Sequence, residues 1–187
     1  MDLSIIYKGI IYFCKLIYRI IIDFYMGQSN VLVIIDIQEG YRNSWKWDVN
    51  FMPNLEELIK SAKENGYHIF YILLPEDTFS NGNRIEEIYT LVKDYNKTCE
   101  IIVDREEKNP QDKSKYIADK IKVLSIDLSN IYICGVDLEQ CVYKTIEGLI
   151  TKGYQEKLIL HSKATSCSHS FSKDTKLKEI GSRIKIE

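Results

Sequence analysis

The feature of this chain that most limits its fold is a rhythm. Short apolar, β-branched runs alternate with stretches of helical spacing. The first run, VLVIIDI at 31–37, is apolar on both faces up to Asp36, as expected of a parallel strand covered on both sides. Residues 52–66 then carry Pro53 in the first turn, Leu55, Leu58, Ile59 and Ala62 at helical spacing, and Gly66 at the end, the punctuation of a helix. Further strands are predicted at 67–74, 100–103, 131–134 and 157–161. Further helices are predicted at 84–95, 111–124 and 138–153, followed by a last helix and a short strand at 183–186. Strands that alternate with helices predict an α/β fold: a three-layer, mainly parallel, Rossmann-like sheet with helices on both faces. Residues 29–187 read as one such domain, and 187 residues are enough to bury a core.

Residues 1–28 differ in kind. In the stretch 3–26 the charges are Lys8, Lys15, Arg19 and Asp23. At about 100° per residue they fall on one narrow stripe, with apolar and aromatic side chains elsewhere. Such an amphipathic helix suits membrane contact in the interface. It lacks the long uncharged run of a spanning helix and the small-residue cleavage site of a signal peptide. Packing on a partner subunit is the alternative, as is a natural start at Met26 with MGQSN as a short leader.

The net charge of −2 gives no electrostatic case for nucleic acid, which needs a basic face. The five cysteines, Cys14, Cys99, Cys134, Cys141 and Cys167, are odd in number and form no C-x-x-C pair. That argues against a disulfide framework and a zinc knuckle and for a reducing, cytoplasmic setting. Most of them are expected to be small buried hydrophobes.

Ligands of such a sheet bind beyond the carboxyl ends of its strands. Asp36 ends the first strand, a lysine-bearing segment follows the third, and residues 135–141 follow the fourth and end in Cys141. A thiol at a helix start meets unpaired N–H groups and partial positive charge. A carboxylate in reach can take the thiol proton and later give it to a leaving amine. Asp, Lys and Cys at one edge therefore suffice for nucleophilic acyl transfer.

These residues carry a resemblance. VLVIIDIQEGYR resembles the opening strand of the isochorismatase-like cysteine hydrolases, the superfamily that includes nicotinamidases, with its Asp-x-Gln and downstream aromatic. GVDLEQCV, followed by Thr145 and by Gly153–Tyr154, is similar to that family's cysteine signature. The resemblance covers about residues 29–187. It implies a homo-oligomeric hydrolase of small molecules; no cofactor is expected. Asp36 would be general base and acid and Cys141 the nucleophile. A cis peptide would join Val136 to Asp137, and the N–H groups of Asp137 and Cys141 would form the oxyanion hole. Gln38, Tyr41 and Leu138 would line the substrate pocket. The catalytic lysine would be Lys108, since 141 − 108 = 33 matches the family's spacing; an insertion would make it Lys113 or Lys115 instead.

Three departures stand out. The segment LLPEDTFSNGN contains none of the three histidines, His68, His161 and His169. No metal is therefore expected, and Glu76 and Asp77 read as a solvated turn. Asp137 puts a carboxylate beside the oxyanion hole. Lys163 stands where relatives often have Asp. The leading expectation is a metal-independent cysteine hydrolase that cleaves a C–N amide bond through a thioester on Cys141. Ether hydrolysis is the nearest variant, and a catalytically weakened protein with a binding or assembly role is the rival.

Overall fold

A computed structural model of the chain describes residues 28–44, 47–75, 82–103, 108–168 and 173–187. The apolar stretch 3–26, Cys14, Glu76, Asp77 and His169 lie outside the described residues. The elements run β1 (Ser29–Ile35), α1 (Glu39–Ser44), α2 (Phe51–Glu64), β2 (His68–Leu73), α3 (Glu86–Val92), β3 (Thr98–Ile102) and α4 (Ser114–Val123). They continue with β4 (Leu128–Gly135), a π-helical turn (Leu138–Val142), α5 (Tyr143–Thr151), β5 (Leu158–Thr165), α6 (Lys173–Gly181) and β6 (Lys185–Ile186).

The strands form one six-stranded sheet in the order β3-β2-β1-β4-β5-β6, and every neighbouring pair is parallel. The chain moves outward from β1 on one side, then returns to place β4 on the other. The gap between the β1 and β4 ends is thus the topological switch point where such sheets bind ligands. Along β1 the side chains alternate between two cores. Val31, Val33 and Ile35 face the core shared with Ile117 of α4 and Ile146 of α5. Leu32 and Ile34 face the core shared with Leu55 of α2 and Ile88 of α3. Both faces of the strand are dry, which is why its sequence is apolar throughout.

The element boundaries depart from the sequence expectation where the site is built. β1 stops at Ile35, because Asp36 turns into the left-handed region at φ 53° and cannot continue a pleated strand. The short helix α1 was not expected. The helix expected from 138 begins as a π turn and becomes α-helical only at Tyr143. β5 runs on through its polar HSK segment to Thr165, which pairs with Gly135 beyond a bulge. Among the described residues no helix is long and apolar enough to cross a membrane.

Candidate active site

Gly135 ends β4 at φ 123°. A Cβ there would lie 2.2 Å from the Ile35 carbonyl oxygen, so only glycine lets β4 pass this close to β1. The Val136 N–H then donates to that carbonyl at 2.9 Å, and the Val136–Asp137 peptide is cis. These contacts bring Cys141, 5% exposed, to the carboxyl end of β1, where Asp36 is completely buried.

Lys113 completes the group. Its Nζ lies 3.2 Å from Asp36 Oδ2, and both side chains are 0% exposed. The ammonium also donates to the Pro110 carbonyl. Lys108, the lysine favoured by spacing, is exposed, and so is Lys115. Of the three lysines considered, Lys113, at the end of the loop before α4, is the one turned inward beside Asp36. Its position is secured from α5. The Lys113 N–H donates to Thr145 Oγ1 at 3.0 Å, and Thr145 Oγ1 donates to the Gln111 carbonyl at 3.3 Å. One turn on, a Cβ at Gly148 would meet Ser114 Oγ at 2.3 Å and Asp112 Oδ1 at 2.5 Å. Thr145 and Gly148, three apart on one face of α5, form the seat of the lysine loop. Thr145 belonged to the cysteine signature, but its purpose was not readable from the sequence.

The electrostatics follow from burial. Desolvation raises the Asp36 pKa, while Lys113 and the adjacent Cys141 thiol oppose that rise. Neither Asp36 oxygen receives a well-angled hydrogen bond among the described residues. Desolvation also raises the Cys141 pKa, the Asp36 charge raises it further, and Lys113 and the Asp137 backbone pull it down. The net direction is up for both groups, which favours the protonated sulfur. The helix-start argument for a resting thiolate is outweighed by a dry site and a neighbouring anion.

The other expected residues are placed as follows. Gln38 is completely buried. Its Nε2 donates to the Leu74 and Gly82 carbonyls, both at 3.0 Å, and its Oε1 accepts from the Leu74 N–H at 3.0 Å. Its amide therefore joins two backbone segments. Tyr41 is packed against both cores. Burial and the charges of Asp36, Cys141 and Asp137 hold its phenol protonated, with the pKa raised. Leu138 is completely buried in the core that contains Cys141. Asp137, the unexpected carboxylate, caps the turn that carries the cysteine. Its Oδ1 accepts from Glu139 N–H at 3.1 Å and Ser168 N–H at 3.2 Å. Tyr71, which the sequence did not single out, donates to the Ile37 carbonyl at 3.0 Å and steadies the turn after Asp36.

Asp137, Glu139 and Cys167 bring three potential metal-ligand atoms within 4.8 Å of one another. Asp137 is already engaged by two backbone donors, and Glu139 Oε2 accepts from Ser168 Oγ at 3.1 Å. A histidine-based metal site after β2 does not fit this chain, whose 74–83 segment has no histidine. Lys163 is exposed at the edge of β5, and Asn54 Nδ2 donates to its carbonyl at 3.3 Å. His161 is half-buried, and that burial lowers its pKa.

A family model described as the isochorismatase domain matches residues 30–184. No curated protein sequence matches the chain. Solved structures share its fold. The YcaC gene product of Escherichia coli, described as an octameric hydrolase of unknown specificity, is 18% identical with a TM-score of 0.65 over 85% of this chain and 74% of that one. The nicotinamidase PncA of Bacillus subtilis is 15% identical with a TM-score of 0.68 over 85% of this chain and 99% of its own. The MAR1 ribonuclease of Caenorhabditis elegans is 14% identical with a TM-score of 0.66 over 87% and 77%.

Proposed function

Since the chain belongs to the isochorismatase family of hydrolases, we propose that it cleaves a C–N bond of a small amide through a thioester on Cys141. The observation that carries this reading is the buried grouping of Asp36, Lys113 and Cys141 at the switch point of the sheet. A carboxyl 3.2 Å from the Lys113 amine and next to a thiol is arranged to accept the thiol proton, and Lys113 opposes the desolvation that raises the Asp36 pKa.

In the proposed reaction Asp36 takes the Cys141 proton as Sγ attacks the amide carbonyl carbon. The oxygen becomes an oxyanion, stabilised by the N–H groups of Asp137 and Cys141. On collapse the C–N bond breaks, Asp36 passes the proton to the leaving nitrogen, and the acyl group remains on sulfur as a thioester. Asp36 next takes a proton from water as its oxygen attacks the thioester. The second collapse breaks the C–S bond, returns the proton to Sγ and releases the acid. Atoms and charge balance over the cycle, and no step passes through a metal. Tyr41, a protonated phenol beside the pair, and Leu138 would border the substrate.

The active unit is read as residues 29–187, assembled as a homo-oligomer by analogy with the octameric Escherichia coli hydrolase. A cytoplasmic setting fits its free thiols Cys99, Cys134, Cys141 and Cys167, with membrane contact through residues 3–26. The test is turnover of a panel of small amides, with intact-mass detection of an acyl adduct. Cys141→Ala should abolish both turnover and adduct. A panel without turnover or adduct from the wild-type protein supports the rival reading of a binding protein.

A further inference from the structure

We propose that Asp137 is a positioning residue: its carboxylate pins the turn that carries Cys141 to the chain leaving β5, and so holds the nucleophile and the oxyanion N–H groups in place. The inference rests on the hydrolase reading of the Cys141 site. It adds a side chain that acts through Cys141 rather than on the substrate.

A carboxylate beside a developing oxyanion opposes catalysis unless its charge is spent elsewhere. Asp137 is 3% exposed, so its oxygens need partners inside the protein. Oδ1 has two. It accepts the Glu139 N–H at 3.1 Å and the Ser168 N–H at 3.2 Å. The main-chain carbonyl of the same residue accepts the Gln140 N–H at 3.1 Å and the Val142 N–H at 2.9 Å. Three N–H groups of the turn 138–142 thus end on Asp137, and two of them flank Cys141. The Cys141 N–H is not one of the three, in keeping with its place in the proposed oxyanion hole.

The bond to Ser168 gives the carboxylate its reach. Beyond β5 the backbone pairs with the nucleophile loop twice. The Ser166 N–H donates to the Gly135 carbonyl at 3.0 Å, and the Leu138 N–H donates to the Ser166 carbonyl at 2.9 Å. Backbone bonds of that kind are open to any sequence. The next link is not. At Ser168 the acceptor is the Asp137 side chain, and Ser168 Oγ donates to Glu139 Oε2 at 3.1 Å. The lacing continues along the turn because residue 137 carries a short acceptor, and bonds from N–H to carboxylate are stronger than neutral ones. The Asp137 main chain also touches the reacting sulfur. Its hydrogen bond acts on the Cys141 thiol, after burial and the charges of Asp36 and Lys113. A shift of the turn would therefore displace Sγ and the oxyanion N–H groups together, and misplacement by about 1 Å can cost about a hundredfold in rate.

The test compares wild type with Asp137→Ala, Asp137→Asn and Asp137→Ser. It uses steady-state kinetics on an amide that the wild type turns over, and iodoacetamide labelling of Cys141. Alanine offers no acceptor. Asparagine keeps one oxygen for both N–H groups, and serine keeps a shorter acceptor for the Glu139 N–H. Asp137→Ala should lower kcat by about a hundredfold while KM changes by less than about threefold. Its Cys141 should label about tenfold faster than that of wild type, because the turn opens locally. Asp137→Asn should recover at least about tenfold of the lost kcat and restore slow labelling. Asp137→Ser should fall between the two, and it takes the place of alanine if that variant does not fold. A kcat near wild type in Asp137→Ala overturns the proposal. So does an asparagine variant as impaired as alanine, since the charge rather than the acceptor would then be what counts. If the wild type turns over no amide, the hydrolase reading fails by itself and labelling decides the position. Rates that rise in Asp137→Ala and not in Asp137→Asn uphold the pinned turn, and equal rates in all variants overturn it.

Discussion

Lys113 Nζ and Asp36 Oδ2 lie 3.2 Å apart with no solvent on either side chain. An ion pair this deep resists the loss of one partner more than the loss of both. A lone buried charge costs several kcal/mol, while an uncharged pair of similar shape can be neutral. Lys113→Met should therefore lower kcat/KM by about a hundredfold or more and destabilise the fold by about 3 kcal/mol. Asp36→Asn in the same chain should recover much of the stability and none of the activity. Lys108→Met, at an exposed position, should stay within about 0.5 kcal/mol of wild type. Urea unfolding and steady-state kinetics of the three variants and the wild type check this. Equal effects at 108 and 113 would remove Lys113 from the mechanism.

Cys141 should alkylate slowly in the free protein at neutral pH, because burial and Asp36 raise its pKa. Asp36→Asn removes one raising influence and leaves Lys113, so it should accelerate iodoacetamide labelling of Cys141 while abolishing hydrolysis. Labelling and turnover then move in opposite directions, which simple unfolding does not produce. Peptide mass spectrometry at limiting reagent reads the first, and product formation the second.

The same shifts give stability a pH dependence. Cys134 and Cys141 both have raised pKa values, with burial the first cause for each. Unfolded thiols lose protons above about pH 8.5 while the folded ones keep them, so the unfolded state binds fewer protons there. This contribution to stability is complete below that pH and is lost as pH rises toward the folded values. Thermal melting should fall between pH 8 and 10, and less steeply in Cys134→Ala than in wild type. A melting temperature that is flat over that interval contradicts the assignment.

Gly148→Ala places a Cβ 2.3 Å from Ser114 Oγ and 2.5 Å from Asp112 Oδ1. The loop that ends in Lys113 must shift to admit it, at a cost of about 1–3 kcal/mol and with a fall in kcat larger than the change in KM. Thr145→Val should do the same by leaving the Lys113 N–H unpaired. A wild-type kcat in both variants would show that the seat on α5 does not position the lysine.

Gly135→Ala is predicted to be the most damaging single methyl group in the chain. The added atom would meet backbone, at 2.2 Å from the Ile35 carbonyl oxygen, and a φ of 123° disfavours any side chain. Loss of soluble protein, or destabilisation above about 4 kcal/mol, is expected. A well-folded, active alanine variant would contradict the close passage of β4 over β1.

The sheet was legible in the sequence because a strand with two dry faces has to be apolar throughout, as 31–35 is. The pair Asp36 and Cys141 was legible because strand ends in such a sheet converge. Which of the three lysines faces Asp36 was not, since spacing counts residues and takes no account of which one a loop turns inward. Lys108, Lys113 and Lys115 look alike until the contact with Thr145 is seen. Asp137 looked like an obstacle to catalysis because a side chain's direction is invisible in a string of letters. In the structure its side chain accepts the Glu139 N–H of the turn it begins and the Ser168 N–H after β5. The bonds of Gln38 to the backbone of Leu74 and Gly82 were not legible for the same reason.

One side chain holds both ends of the segment between β2 and α3. Gln38 binds the backbone of Leu74 on one side and of Gly82 on the other. The residues between these anchor points can then change in number and kind over generations without moving the sheet or Asp36, two residues before the glutamine. Selection for a new substrate is free to rewrite that segment while the reacting groups stay fixed.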